Sequence, residues 1–110
     1  MTHEERIDLV RAIVEKRLIP VLNAKGPDYA GKDEEVNRNF FQVANRLGVD
    51  QYRVWGVYFF KHVMAIETWL RSGALLSEPL EGRIVDAINY LLILWSMLLE
   101  TDKVSDPRQG

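Results

Sequence analysis

Residues 77–100, SEPLEGRIVDAINYLLILWSMLLE, decide how this chain folds. The stretch is apolar over most of its length and has no proline after Pro79. It reads as one long helix, with Ser77 placed to cap it and Pro79 tolerated in the first turn. Yet Arg83, Asp86, Asn89 and Tyr90 stand inside the apolar run. At about 100° per residue, Arg83, Asp86 and Tyr90 share one narrow stripe, Asn89 flanks it, and Gly82 leaves room on the same side. Polar groups in such a place cost stability unless they find partners. The stripe therefore calls for another helix, a metal or a ligand to face it.

The preceding segments supply the other helices. Asp50 can cap a helix running roughly from Gln51 to Arg71, with Gly73 after its end. Asp33 can cap one that carries Val36, Phe40, Val43, Ala44 and Leu47 at helical spacing and stops at Gly48. Thr2 and Glu5 have capping-box spacing, and Ile7, Val10, Ile13, Val14 and Leu18 follow until Pro20 ends or kinks the first helix. Gly26, Pro27 and Gly31 make NAKGPDYAGK, residues 23–32, a loop, and TDKVSDPRQG reads as a frayed tail. The expectation is an all-α fold, a four-helix bundle-like single domain over 1–110, with an ordered core over 1–101 and a tail over 102–110.

The third and fourth helices are apolar nearly all round. In the third, Val54, Val57, Met64 and Ala65 make one face, and Trp55, Phe59, Val63, Ile66 and Leu70 make another. Four short helices cannot easily cover both faces of two such helices, so a homo-oligomer is expected, most simply a twofold dimer.

Composition narrows the function. The 110 residues carry a net charge of −2 with acidic and basic groups mixed, which argues against wrapping long nucleic acid. A small phosphorylated ligand needs only two or three well-placed cations. With no cysteine, disulfides, thiolate metal sites and cysteine nucleophiles are excluded. MTHEERIDLV lacks a basic-then-apolar leader pattern, and Tyr90 to Leu99 is too short for a membrane span of about 20 residues. A cytoplasmic chain with no membrane partner is expected.

Lys61 falls in the middle of the Val54, Val57 and Ala65 face, and Asp86 is its candidate partner. That juxtaposition reads either as a structural pair locking two helices or as a polar pocket in a helical bundle. Lys25, Asp28, Tyr29 and Lys32 surround glycines in the loop and could meet an anion, although Pro27-Asp28 also makes an ordinary turn. Tyr29 and Tyr90 could stack on a base. Metal chemistry is less favoured: only Glu5/Asp8 and Glu78/Glu81 have i, i+3 spacing, and His3 and His62 show no ligand spacing.

The order K-G-P-D-Y (Lys25 to Tyr29), N-F (Asn39, Phe40), a helical Lys61, then S-E-P-L-E-G-R-I-V-D-A-I-N-Y-L (Ser77 to Leu91) resembles a phage and bacterial family. It is called nucleotide modification associated domain, first type. The resemblance covers roughly residues 15 to 100. That family is in turn similar to the MazG-like all-alpha nucleotide pyrophosphohydrolases, helical oligomers that hold Mg²⁺ with E-x-x-E on one helix and E-x-x-D on the next. Asp86 matches the last aspartate of that set. Arg83 stands where the preceding glutamate should be, and the third helix offers Lys61 and an isolated Glu67. Positive groups there would hold phosphate oxygens and repel Mg²⁺.

The resemblance thus implies a phage protein that binds a nucleotide or cyclic nucleotide without hydrolysing it and without a cofactor. It would act in the host cytoplasm, either as a sponge for a nucleotide immune signal or as an accessory to nucleotide or base modification. The implied ligand-binding residues are Lys25, Asp28, Tyr29, Lys61, Arg83, Asp86, Asn89 and Tyr90. The alternative is a divergent Mg²⁺-dependent nucleoside-triphosphate pyrophosphohydrolase using Glu67, Glu78, Glu81 and Asp86. A blander third reading is a helical adaptor that binds protein through Trp55, Trp69 or Trp95.

Overall fold

The computed structural model of the chain describes residues 1–23, 37–75 and 78–109. All regular structure among them is helical. The chain packs as two compact units, Met1–Arg38 and Asn39–Gly110.

In the first unit, α1 spans His3–Ile13, and the Thr2 hydroxyl accepts from the Glu5 amide at 3.1 Å, as the capping-box spacing requires. A π-helical turn, Val14–Leu18, follows, and residues 19–23 remain helical. Pro20 therefore does not end the first helix. A proline ring clashes with the carbonyl four residues back and brings no N–H. The wider turn just before Pro20 relieves that conflict by lengthening the local hydrogen-bond spacing. No residue of α1 is buried, whereas Leu18 in the π turn is.

The second unit is built on three helices: α2, Arg38–Leu47; α3, Gln51–Ser72; and α4, Leu80–Glu100. Gly48 (φ 70°) and Gly73 (φ 74°) stop α2 and α3 in left-handed backbone, where a side chain would be strained. Asp50 caps α3 by accepting from the Arg53 amide at 2.9 Å. Contacts run from Tyr52–Thr101 through Trp55–Tyr90 to His62–Arg83, so α3 and α4 are antiparallel. Phe40 and Ala44 from α2, Val54 and Trp55 from α3, and Met97 from α4 form the buried cluster. Trp55 stacks on Phe59, with ring centroids 4.7 Å apart.

Two local expectations need correction. Helix α4 begins at Leu80, with Pro79 as an extended N-cap residue (ψ 147°) that makes no side-chain cap bond. Proline fits there because its missing N–H is not needed. Ser77 and Asp33, the expected caps, lie outside the described residues. The C-terminal residues are also structured. Asp102 takes a positive φ of 55°, and the Lys103 and Asp102 amides donate to the Leu98 and Leu99 carbonyls at 2.9 and 3.1 Å. This left-handed cap closes α4. A 3-10 turn over Pro107–Gln109 follows, in which Arg108 grips the Asp106 carboxylate.

The two apolar faces of α3 are covered unequally within one chain. Phe59, Val63 and Ile66 are half-buried beside the buried Trp55, but Leu70 is exposed. On the other face only Val54 is buried; Val57 and Met64 are exposed. By length and apolarity α4 could also cross a membrane. A core helix passes the same test, and here its polar stripe faces α3.

Candidate functional site

The stripe on α4 meets α3 through a histidine. His62 is 5% exposed, and its Nδ1 lies 3.2 Å from Arg83 Nη1 and 3.8 Å from Asp86 Oδ2. The Tyr90 ring packs between Tyr58, stacked at 6.3 Å, and His62, tilted at 5.3 Å. One turn away, Trp55 Nε1 donates to the Tyr90 carbonyl at 2.6 Å and ties the two helices below the cluster.

This corrects the pairing read from the sequence. Lys61 is exposed, and the inner position opposite Asp86 belongs to His62. One residue along a helix is about 100° of rotation, so the two side chains cannot share a direction. Energy decides which goes inside: an ammonium buried near Arg83 would face a like charge, while an imidazole can be neutral. Burial lowers the His62 pKa, and Lys61 and Arg83 push the same way against the raising effects of Asp86 and Glu78. A neutral His62 can accept at Nδ1 from Arg83. The missed signal was the spacing Trp55, Phe59, His62, Ile66, which places the histidine on the apolar face.

Arg83 is the hub. Its Nη2 contacts Glu78 Oε1 at 2.9 Å, its Nη1 reaches His62, and its Nε is buried without a hydrogen-bond partner. Asn89 is 6% exposed, and its Oδ1 is likewise buried and unpartnered. A buried donor and a buried acceptor are thus left open on one helix, each at a cost of about 1–3 kcal/mol.

Of the expected ligand-binding set, Arg83, Asp86 and Tyr90 are gathered around His62 at the α3–α4 contact, and Asn89 is buried on the same helix, α4. Lys61 is exposed, next to His62 in the chain. Lys25, Asp28 and Tyr29 lie outside the described residues. The alternative metal set is not assembled: Glu67 and Glu81 are exposed, and Glu78 is engaged with Arg83. Among the described residues no three His, Asp or Glu side chains converge as metal ligands. Of the tryptophans considered for an adaptor, Trp55 is core, while Trp69 and Trp95 are exposed. The two apolar grooves lie away from the cluster, one over Gly56 and one beside Trp95.

Compared with protein-family models, curated proteins and solved structures, the chain matches none.

Proposed function

We propose that this protein holds a nucleotide at the polar cluster between α3 and α4 and releases it unaltered. The observation that carries this reading is that two buried polar atoms of α4, Arg83 Nε and Asn89 Oδ1, have no hydrogen-bond partner. A guanidinium grips an anion best through two parallel N–H bonds, and Nε is one of the donors a phosphate would use. Glu78 already supplies an anionic oxygen to Nη2. Its side chain is 39% exposed, so an incoming phosphate can replace it from the solvent side. Asn89 Oδ1 is an acceptor suited to an amine of a base or a ribose hydroxyl. Asp86 orients His62.

The resemblance in residue order supports the same ligand class and a phage setting. There the protein would sequester a nucleotide or cyclic nucleotide immune signal in the host cytoplasm, or assist nucleotide or base modification. Lys25, Asp28 and Tyr29, carried by that resemblance, are assigned to closing the site. Binding is favoured over hydrolysis on two grounds: in the resemblance Arg83 stands where a metal-binding glutamate would, and Glu78 and Asp86 contact Arg83 and His62 respectively.

The test incubates the protein with a panel of nucleotides, cyclic dinucleotides and ADP-ribose derivatives in the presence of Mg²⁺. Free ligand is removed, the protein is heat-denatured, and the released compounds are identified by mass spectrometry. Recovery of an intact nucleotide is expected, with affinity weakened by about 1.5 kcal/mol or more in Arg83→Ala. Release of a monophosphate with pyrophosphate would replace this reading with the pyrophosphohydrolase. Unchanged affinity in Arg83→Ala would remove the site.

A further inference from the structure

The outer face of α3 points to a second docking surface. Val57, Phe60 and Met64 are 74%, 58% and 64% exposed, at i, i+3 and i+7 spacing. They form one apolar stripe on the side of the helix away from His62. Beside them Gly56 leaves a groove of about 440 Å³, lined by Tyr52, Arg53, Trp55, Val57 and Phe60. The charges along this stripe are ordered. Asp50 and Arg53, which contact each other at 3.3 Å, stand at the start of the helix, and Glu67 and Arg71 stand near its end, all of them exposed.

That order selects the occupant. A second copy laid antiparallel, with the twofold axis passing Phe60, brings residue i opposite residue 120 − i of its partner. Arg53 then faces Glu67 of the partner subunit at both ends of the contact. Asp50 lies beside Arg71 of the partner subunit, and Val57 packs against Met64 of the partner subunit. A parallel pairing would set Arg53 against Arg53 and Glu67 against Glu67, which repel. Helix dipoles also favour the antiparallel arrangement. The geometry points to an isologous dimer of this chain, formed by α3 packing on α3 with Phe60 at the twofold axis and Met64 of each copy set against Val57 of the other. The inner polar cluster is not part of this interface, so the inference stands apart from nucleotide binding.

The experiment reads solution mass by sedimentation equilibrium for the full chain and for Met64→Glu, Arg53→Glu, Arg53→Glu/Glu67→Arg and Leu91→Glu, with circular dichroism confirming helicity. Leu91 lines the other apolar groove, on α4. The expected result is a dimer that Met64→Glu and Arg53→Glu weaken at least tenfold, that the charge-swapped double variant restores, and that Leu91→Glu leaves intact. Because the natural chain has no cysteine, Phe60→Cys gives a second readout: a short bismaleimide should link two copies through this single position. A monomeric natural chain, or a dimer split by Leu91→Glu and indifferent to Met64→Glu, would overturn the proposal.

Discussion

Replacing Asn89 by leucine should make the protein more stable and less able to bind its ligand. Asn89 is nearly fully buried, and its Oδ1 has no hydrogen-bond partner. An unpaired buried acceptor costs about 1–3 kcal/mol. Leucine shares asparagine's branching at Cγ and carries no polar atom to desolvate. Its two methyl groups need more room than the planar amide in a packed helix contact, and that fitting cost offsets part of the gain. The expected net effect is a stabilisation of about 1 kcal/mol, or roughly 4 °C in Tm for a domain of this size. Asn89→Asp is the matched opposite. It keeps the shape but buries a carboxylate, and should destabilise by about 2 kcal/mol or more at neutral pH. Urea unfolding followed by circular dichroism measures both, and titration with the captured nucleotide measures affinity. A leucine variant destabilised by more than about 1 kcal/mol would refute the reasoning. It would mean that Oδ1 already has its partner and that Asn89 is structural.

Three further outcomes follow from the same geometry. Burial lowers the His62 pKa, so the unfolded chain takes up a proton at this residue before the folded one does. This contribution to stability is fully present above about pH 6.5 and is lost as pH falls below it through the folded-state value. Urea midpoints measured between pH 7.5 and 5 should decline, and His62→Gln should flatten the decline; an unchanged slope would place the titrating group elsewhere. Met97 is fully buried in the cluster with Trp55 and Phe40, so Met97→Ala should cost about 2–5 kcal/mol, read from the denaturation midpoint. Asp50→Ala removes the cap on the Arg53 amide and should cost about 1 kcal/mol without changing ligand affinity, which makes it the stability-matched control for binding variants.

Local rules already visible in the chain fix much of this architecture. Thr2 and Asp50 cap helices because a side-chain oxygen three residues ahead of an amide can reach it in any context. Gly48 and Gly73 end helices because only glycine enters left-handed backbone without strain. The stripe of Arg83, Asp86 and Tyr90 is a matter of helical angle alone. Where tertiary geometry intervened, the sequence was less informative. Pro20 reads as a stop or a kink, and the helix continues past it after a π turn. The last residues read as a tail, yet Asp102 closes α4 and Tyr52 bonds Thr101 at 2.7 Å.

The sequence by itself determined that the chain is helical, where α3 and α4 lie, and that one side of α4 needs polar company. Each of these follows from spacing within one segment, where backbone hydrogen bonds and side-chain rotation are local. Only the tertiary structure decided who provides that company. Lys61 and His62 are neighbours in an apolar helix, and the rotation of α3 about its axis, set by the packing of Trp55 and Phe59, turns the imidazole inward and the ammonium outward. That rotation minimises the buried charge beside Arg83, a balance between two helices that no single segment contains.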